Sequence, residues 1–125
     1  LQRHYPFKLS WARLFYMFGE GQPESSLYSS LHRAVAQGQK VFPMSLGEQL
    51  RDYLPVETVA KRLVDLTLDQ MDRGAVNVCA GHPISVRRLV ETWLHEKGWQ
   101  IELGLGQYPY ADHEPLAFWG VDSYR

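Results

Sequence analysis

The segment GEQLRDYLPVETVA, residues 47–60, places an arginine and an aspartate inside a run that is otherwise typical of a strand leading into a helix. Arg51 and Asp52 lie between Leu50 and the aromatic and aliphatic residues that begin at Tyr53. This run predicts an extended segment, and the residues that follow it have the spacing of a helix. A guanidinium at such a junction marks Arg51 as a candidate functional residue.

A helix is predicted within ETVAKRLVDLTLDQMDRG, residues 57–74, because apolar side chains recur there at helical spacing. Gly74 lies beyond the predicted end of this helix. We expect one apolar stripe of the helix to face the core of the domain. Its members are Ala60, Leu63, Val64, Leu68 and Met71.

Two further helices are predicted from serine caps and glycine stops. Ser25 or Ser26 can cap a helix that ends at Gly38, and Ser85 can cap a helix that ends at Gly98. Both helices carry apolar residues at helical spacing, which predicts that each buries one face. These residues are Leu27, Leu31, Ala34 and Val35 in the first helix, and Val86, Leu89, Val90, Trp93 and Leu94 in the second.

The remaining segments predict short strands and a tail. Residues 9–19 alternate and are rich in aromatic side chains, which predicts a strand, and residues 75–81 and 99–109 predict two more. The segment KVFPM, residues 40–44, contains a proline and predicts an edge strand or an extended segment. The aromatic tail 108–125 is predicted to be loop-like. This order of elements predicts an α/β fold with a small mixed sheet and about three helices.

The composition limits the size, the partners and the compartment of the protein. A chain of 125 residues with 45% hydrophobic residues is predicted to form one domain, residues 1–125. The net charge of −1 and the absence of charge runs predict no nucleic-acid partner, and no apolar run reaches the roughly 20 residues that would predict a membrane span. Cys79 is the one cysteine, which predicts a free buried thiol, or alternatively a reactive one, in a cytoplasmic protein.

The sequence lacks the short motifs that would indicate cofactor, metal or catalytic chemistry within the chain. No G-x-G-x-x-G pattern follows a strand, and no G-x-x-x-x-G-K-[ST] pattern occurs. The five histidines are scattered, and no pair has ligand spacing with a carboxylate partner, so we predict no metal site. No catalytic triad can be argued from spacing, and we predict no catalytic residue.

Four fragments, RLFYMFGEGQ (13–22), GEQLRDYLPVETVA (47–60), GAVNVCAGHPISVRRLVE (74–91) and YPYADHEP (108–115), occur in an order that is typical of one enzyme family. The family pattern is R-x-F-N-x-Y-G-P-G, then G-x-x-x-R-D-[FYW]-x-x-V-x-D-x-[AV], N-[VI]-x-x-G-x-x-x-S-[VIL] and P-x-R-x-x-[ED]. The chain therefore resembles the second half of the extended short-chain dehydrogenase/reductase family. Members are NAD(P)-dependent epimerases, dehydratases and 4-keto reductases that act on nucleotide-linked sugars.

The resemblance implies the C-terminal, substrate-binding portion of such an enzyme, without its Rossmann half. In the family the glycine-rich loop and the Tyr-x-x-x-Lys pair lie in the preceding half. NAD or NADP is therefore expected in the intact enzyme, whereas the fragment alone is expected to bind no cofactor and to be inactive. The implied ligand is a nucleotide-diphosphate sugar.

Such a portion should also expose apolar surface, which predicts a homo-oligomer or another association through that surface. An alternative from another functional class is a non-catalytic protein-association domain that retains this fold.

The resemblance assigns roles to individual residues. Arg51 matches the family arginine that contacts the diphosphate, whereas the alternative is a surface ion pair with Asp52 or Glu48. Asp52 itself is interpreted as shaping the turn or pairing with a basic neighbour. Phe15 matches an aromatic residue near the nicotinamide ring, and Ala111 stands where the family carries a second phosphate-binding arginine. The other implied substrate-binding residues are Tyr16, Ser26, Leu27, Phe42, Met44 and Glu114. The alternatives are that the aromatic residues and Met44 only pack in the core, and that Glu114 lies in a solvated loop.

Overall fold

The structure is a computed structural model that describes residues 1–122 and contains three α-helices and eight short strands within that range. The helices are α1 (Leu27–Ala36), α2 (Val56–Asp69) and α3 (Val86–Lys97). The strands are β1 (Ser10–Leu14), β2 (Tyr16–Phe18), β3 (Val41–Pro43), β4 (Leu50–Arg51), β5 (Tyr53–Pro55), β6 (Gly74–Val78), β7 (Ile84–Ser85) and β8 (Glu102–Gly104).

The strands pair two by two. Parallel pairs are formed by β1 with β6, by β2 with β5 and by β3 with β8, and β4 pairs antiparallel with β7. The predicted α/β class with three helices is thereby confirmed. The predicted strand 9–19 is divided at Phe15, because the chain there leaves β6 and continues beside β5.

The predicted helix caps are present. The Ser26 hydroxyl accepts a hydrogen bond from the Ser29 backbone N–H at the start of α1, and the Ser85 hydroxyl accepts one from the Arg88 N–H at the start of α3. Gly98 ends α3 with a φ of 64°, a left-handed conformation that glycine adopts without steric cost. Local sequence therefore determines these helix boundaries.

The predicted apolar stripe of α2 is wrong except at Leu63, which packs against the smaller core cluster. Val59 and Leu66 are the buried residues of this helix, whereas Val64 and Leu68 are 55% and 72% exposed. The surface of α2 carries two neighbouring rows of apolar side chains, one that contains Val59 and one that contains Val64. The two rows are offset by about one residue around the helix. The stripe that contains Val59 contacts β1 and β5, so the stripe that contains Val64 remains exposed.

The buried side chains form two clusters. The larger cluster joins α1 and α3 across an aromatic group in which the Trp93 ring lies 5.1 Å from the rings of both Phe18 and Tyr28. Phe42 and Met44 belong to this cluster. The smaller cluster lies between α2 and the β5 and β6 strands. The strand junction at residues 50–55 therefore lies between the two cores.

Asp52 connects this junction to two loops that are distant in sequence. Its side chain is fully buried, and its two carboxylate oxygens accept hydrogen bonds from the backbone N–H groups of Ala80, Gly81 and Gly120 at 2.7, 3.0 and 3.3 Å. The carboxylate therefore holds two loops that are distant in sequence, one of them in the tail, whereas the interpretation that Asp52 shapes its own turn stays a prediction. A buried carboxylate is tolerated here because several donors compensate its charge.

Replacing Asp52 by Asn should lower the free energy of unfolding by about 2–4 kcal/mol, since the amide removes the charge and points an N–H group at backbone donors. Chemical denaturation followed by circular dichroism measures this loss. Asp65→Asn is the matched control, because Asp65 forms an exposed pair with Lys61 and should cost less than about 1 kcal/mol. Equal losses in the two variants would contradict the structural role of Asp52.

Candidate functional site

A cavity of about 550 Å³ lies between α1, the segment around β3 and the strands β4 and β5. Its walls come from six parts of the chain: β2, the start and inner face of α1, residues near β3, residues 49–53, Val86 at the start of α3, and the loop that contains Tyr108 and Glu114. Among its described lining residues, Arg33 and Arg51 are cationic and Glu114 is anionic. The cavity wall therefore carries a net positive charge at neutral pH.

Arg51 is almost completely buried, with 4% of its surface exposed. Its Nη1 donates to the carbonyl oxygens of Leu50 and Leu116 at 2.8 and 3.5 Å. Its Nη2 donates to Glu114 Oε2 at 3.4 Å, and the guanidinium carbon lies 5.9 Å from the centre of the Tyr16 ring. These contacts hold the guanidinium at the cavity wall in a defined orientation.

The alternative ion pairs of Arg51 do not form in the structure. Asp52 points to the backbone N–H groups described above, and the Glu48 carboxylate accepts a hydrogen bond from the Tyr110 hydroxyl at 3.2 Å. Adjacent residues of an extended segment project to opposite sides, which separates Arg51 from Asp52. The prediction of a surface arginine paired with either acid is therefore wrong.

Six of the predicted ligand-binding residues line this one cavity. They are Tyr16, Leu27, Phe42, Met44, Arg51 and Glu114. Phe42 and Met44 also belong to the core, with 8% and 5% of their surfaces exposed, so they present only small areas to the cavity. The contacts of all six with a ligand stay predictions.

Two predicted site residues lie outside the lining of this cavity. Ser26 uses its hydroxyl to cap α1, while its neighbour Ser25 lines the cavity. Phe15 stacks on Phe118 of the tail, with ring centroids 5.5 Å apart and planes inclined by 23°. The contact of Phe15 with a nicotinamide ring stays a prediction.

Sequence analysis missed several lining residues. Gln49 and Tyr53 line the cavity together with Arg51. The alternation of these three residues along an extended segment is a signal that could have identified them, because residues two apart share a side. Arg33 lies on α1 seven residues after the predicted Ser26, and no sequence signal distinguishes it from an ordinary exposed helix residue.

Two protonation equilibria near the junction are shifted by their surroundings. Burial raises the pKa of the Tyr53 phenol, and the neighbouring Tyr16 raises it further while Arg51 opposes the shift.

Burial also raises the pKa of the Cys79 thiol, with a contribution from the Asp52 charge. The side chain of Cys79 is inaccessible, and a Cβ added at Gly120 would lie 2.8 Å from its sulfur, so the tail backbone covers the thiol. The prediction of a free buried thiol is confirmed.

Neither a metal site nor a membrane span is found in the described part of the chain. Among residues 1–122, the His, Cys, Asp and Glu side chains form no group of three that could hold a metal ion. The three helices of this part are too short or too polar to cross a bilayer.

Comparisons with known proteins agree with this fold. No protein-family model matches the chain. Over 113 residues the chain is 26% identical to the NAD(+)-dependent dTDP-6-deoxy-L-talose 4-dehydrogenase of Aggregatibacter actinomycetemcomitans, a match that covers 90% of this chain and 42% of that protein. The chain thus spans about two fifths of the length of this curated relative.

Solved structures also match most of this chain with about two fifths of their own length. The UDP-glucose 4-epimerase of Thermotoga maritima, determined with UDP-glucose, matches with a TM-score of 0.78 at 19% identity, over 98% of this chain and 40% of that one. MoeE5, in complex with UDP-glucuronic acid and NAD, matches with a TM-score of 0.64 at 28% identity, over 84% of this chain and 36% of that one.

The fold is an α/β arrangement that matches about two fifths of a longer solved structure, and it has a ligand-sized cavity beside a strand-to-helix junction. The comparisons confirm the resemblance found in the sequence: the chain corresponds to the C-terminal part of an extended short-chain dehydrogenase/reductase of the epimerase/dehydratase type.

The raised pKa of Cys79 predicts a loss of stability in alkaline solution. Above the ordinary thiol pKa of 9.0 the unfolded chain releases a proton that the folded chain retains. Stability is therefore complete below this pH and falls as the pH rises, by at most about 1.4 kcal/mol per pH unit for one proton. Denaturation midpoints measured between about pH 8 and about pH 10 test this slope.

Cys79→Ala should flatten that slope, because no thiol remains to ionise in the unfolded chain. The absolute stability of the variant does not affect this comparison. If wild type and Cys79→Ala lose stability in parallel above pH 9.0, the thiol is not the titrating group.

Proposed function

We propose that this chain binds a nucleotide-diphosphate sugar in the 550 Å³ cavity, as the substrate-binding part of an NAD(P)-dependent epimerase, dehydratase or 4-keto reductase. The observation that carries the proposal is the buried guanidinium of Arg51 at the wall of a cavity large enough for a small ligand. Arg51 would hold the diphosphate.

The surroundings of Arg51 favour an anionic ligand. A buried cation requires compensation, and here the compensating charge is Glu114, which is half exposed and 3.4 Å away. An ion pair of this length compensates the buried charge incompletely. Phosphate oxygens match the planar fork of guanidinium donors, so a diphosphate in the cavity would complete the compensation.

Arg33 could supply the second cation that the family pattern places at the position of Ala111. It lies on α1 and lines the same cavity as Arg51. Its pair with Glu24 is 3.3 Å long, and the Glu24 side chain is 92% exposed. An exposed pair of this kind contributes little free energy, so the Arg33 guanidinium could turn toward a diphosphate at small cost.

The names of the relatives support the ligand class. One acts on a dTDP-linked deoxysugar, and two structural neighbours were determined with UDP-glucose or UDP-glucuronic acid. The aromatic residues Tyr16, Tyr53 and Tyr108 line the same cavity and offer flat surfaces for a base or a sugar ring.

The residues of this chain do not fit a dinucleotide cofactor on their own. The chain contains no G-x-G-x-x-G loop, and Phe15, the one predicted cofactor contact, packs against Phe118. We therefore assign this chain the binding and orientation of the sugar nucleotide, and we expect no turnover from it alone. The cytoplasmic location inferred from the lone cysteine stays a prediction.

Association through exposed apolar surface is a second candidate function. Trp11 on β1 is 66% exposed and Leu68 on α2 is 72% exposed. Within residues 1–122, β1 pairs with β6 alone, so one edge of β1 has no strand beside it. Large exposed apolar side chains next to an unpaired strand edge are typical of an interaction surface.

The ligand prediction is tested by calorimetric titration of the full chain with UDP-glucose and dTDP-glucose. Arg51→Lys should weaken binding roughly 10- to 100-fold, because lysine keeps the charge but loses the fork of donors. Arg88→Lys is the matched control, since Arg88 is exposed on α3 and should leave binding unchanged. Circular dichroism establishes that each variant is folded.

Two results would contradict this proposal. Folded wild-type chain that binds neither nucleotide sugar would refute the ligand class. Equal binding by wild type and folded Arg51→Lys would refute the assigned role of Arg51.

The association prediction is tested by sedimentation over a wide range of protein concentration. The double replacement of Trp11 and Leu68 by Gln should shift the chain toward monomer, because it removes exposed apolar area from β1 and α2. Val121→Gln is the control, since Val121 is 76% exposed but lies in the tail. A monomeric wild type at all concentrations would remove the basis for self-association.

A further inference from the structure

The guanidinium of Arg51 lines the 550 Å³ cavity but is almost enclosed by its own partners. It is 4% exposed, so a ligand reaches its N–H groups only after one of the covering groups moves. These partners are the carbonyl oxygens of Leu50 and Leu116, the carboxylate of Glu114 and the ring of Tyr16. The partner that can move therefore decides how the candidate site opens.

Three of these partners are held by neighbouring strands. The Leu50 N–H donates to the Leu116 carbonyl oxygen at 2.8 Å, and the Leu50 carbonyl oxygen accepts from the Phe118 N–H at 3.0 Å. Tyr16 on β2 lies opposite Tyr53 on β5, and their ring centroids are 5.3 Å apart. Moving any of these groups would break backbone hydrogen bonds or ring packing.

Glu114 is the partner that can turn away. Its side chain is half exposed and belongs to a loop, in which its backbone N–H donates to the Ala111 carbonyl oxygen at 3.1 Å. A smaller cavity of about 130 Å³, which Tyr110 also lines, shares Arg51 and Glu114 with the larger one. The Glu114 side chain therefore has room to rotate while the backbone of its loop stays in place.

A diphosphate and the Glu114 carboxylate compete for the same donor. Nη1 of Arg51 already donates to two backbone carbonyl oxygens, which leaves Nη2 as the terminal nitrogen for a phosphate oxygen, and Nη2 donates to Glu114 at 3.4 Å. The two negative charges of a sugar-nucleotide diphosphate match the guanidinium groups of Arg51 and Arg33 in this cavity. The Glu114 carboxylate would add a third negative charge close by, and like charges in a partly buried site repel each other.

We propose that the Glu114 carboxylate is a displaceable counter-ion, which occupies Arg51 Nη2 until the diphosphate of the sugar nucleotide binds and then turns away. This inference rests on the proposed function, because it takes the diphosphate as the ligand, and it extends that function by giving the anion site a closed and an open form. Glu114 thereby lowers the affinity for diphosphate by the free energy of breaking its own pair. A direct contact of Glu114 with the substrate predicts the opposite sign.

Glu114→Gln tests this role, because the amide keeps the size of the side chain and removes its charge. In calorimetric titrations of the full chain, UDP-glucose and inorganic pyrophosphate should each bind this variant about 3- to 10-fold more tightly than wild type, since no ion pair has to break. Circular dichroism establishes that the variant is folded.

Asp112→Asn is the matched control for the removal of one negative charge. Asp112 is an exposed acid of the same loop and is not among the described lining residues of either cavity. Its replacement should change both affinities by less than about 2-fold, because solvent and salt screen an exposed charge.

Glu114→Asp provides a second variant, which keeps the charge. Its side chain is one methylene group shorter, so the carboxylate withdraws from Nη2 and the pair with Arg51 weakens. UDP-glucose should then bind with an affinity between those of wild type and Glu114→Gln. Binding at or below the wild-type affinity would overturn the proposal.

Denaturation separates competition from a purely structural role of Glu114. Without ligand, Glu114→Gln should unfold at a lower denaturant concentration than wild type, because the buried Arg51 loses its counter-ion. UDP-glucose at saturating concentration should narrow this difference, since the diphosphate takes the place of the counter-ion. A difference that stays the same would mean that Glu114 stabilises the fold whether or not the site is occupied, and the proposal would fail.

The titrations also distinguish a failure of this inference from a failure of the proposed function. Weaker or unchanged binding of UDP-glucose by folded Glu114→Gln would overturn the inference, while weaker binding by Arg51→Lys would leave the proposed function standing. If pyrophosphate binds Glu114→Gln more tightly than wild type and UDP-glucose binds neither, the counter-ion role stands and the proposed ligand class fails. No binding of either compound to either protein would overturn both.

Discussion

The Asp52 carboxylate is the contact on which the arrangement of the other parts depends. It lies between the two hydrophobic clusters and binds backbone N–H groups after β6 and in the tail. Segments that are distant along the chain are thereby joined at one buried point. Because backbone donors are directional, the carboxylate determines the position of these loops as well as their stability.

The same interaction orients the candidate site. Neighbouring residues of an extended segment project to opposite sides, so a fixed Asp52 directs Arg51 to the cavity. The tail that Asp52 holds through Gly120 also carries Leu116, whose carbonyl oxygen accepts from Arg51, and Glu114, its ionic partner. Of two adjacent charged residues in the segment 47–60, Asp52 therefore has a structural role, and Arg51 has the proposed ligand-binding role.

Local features of the fold could be predicted from the sequence, whereas contacts between distant segments could not. Ser85 and Gly98 act through neighbouring backbone atoms, and their roles follow from the sequence alone. The buried stripe of α2 does not, because Val59 and Val64 are equally apolar and tertiary contacts choose between them. Within the candidate site, Arg51 is recognisable by its motif, whereas Arg33 joins the cavity only when α1 packs beside the segment 47–60.

The covering of Cys79 by Gly120 gives the molecule a built-in reporter of motion in its tail. The thiol becomes accessible to a reagent in solution when the backbone near residue 120 separates from the end of β6, and Asp52 opposes that separation. The rate of thiol modification in native conditions is therefore sensitive to the opening of this contact. Since the same tail supplies Glu114, the reporter follows the exposure of one wall of the cavity without any added label.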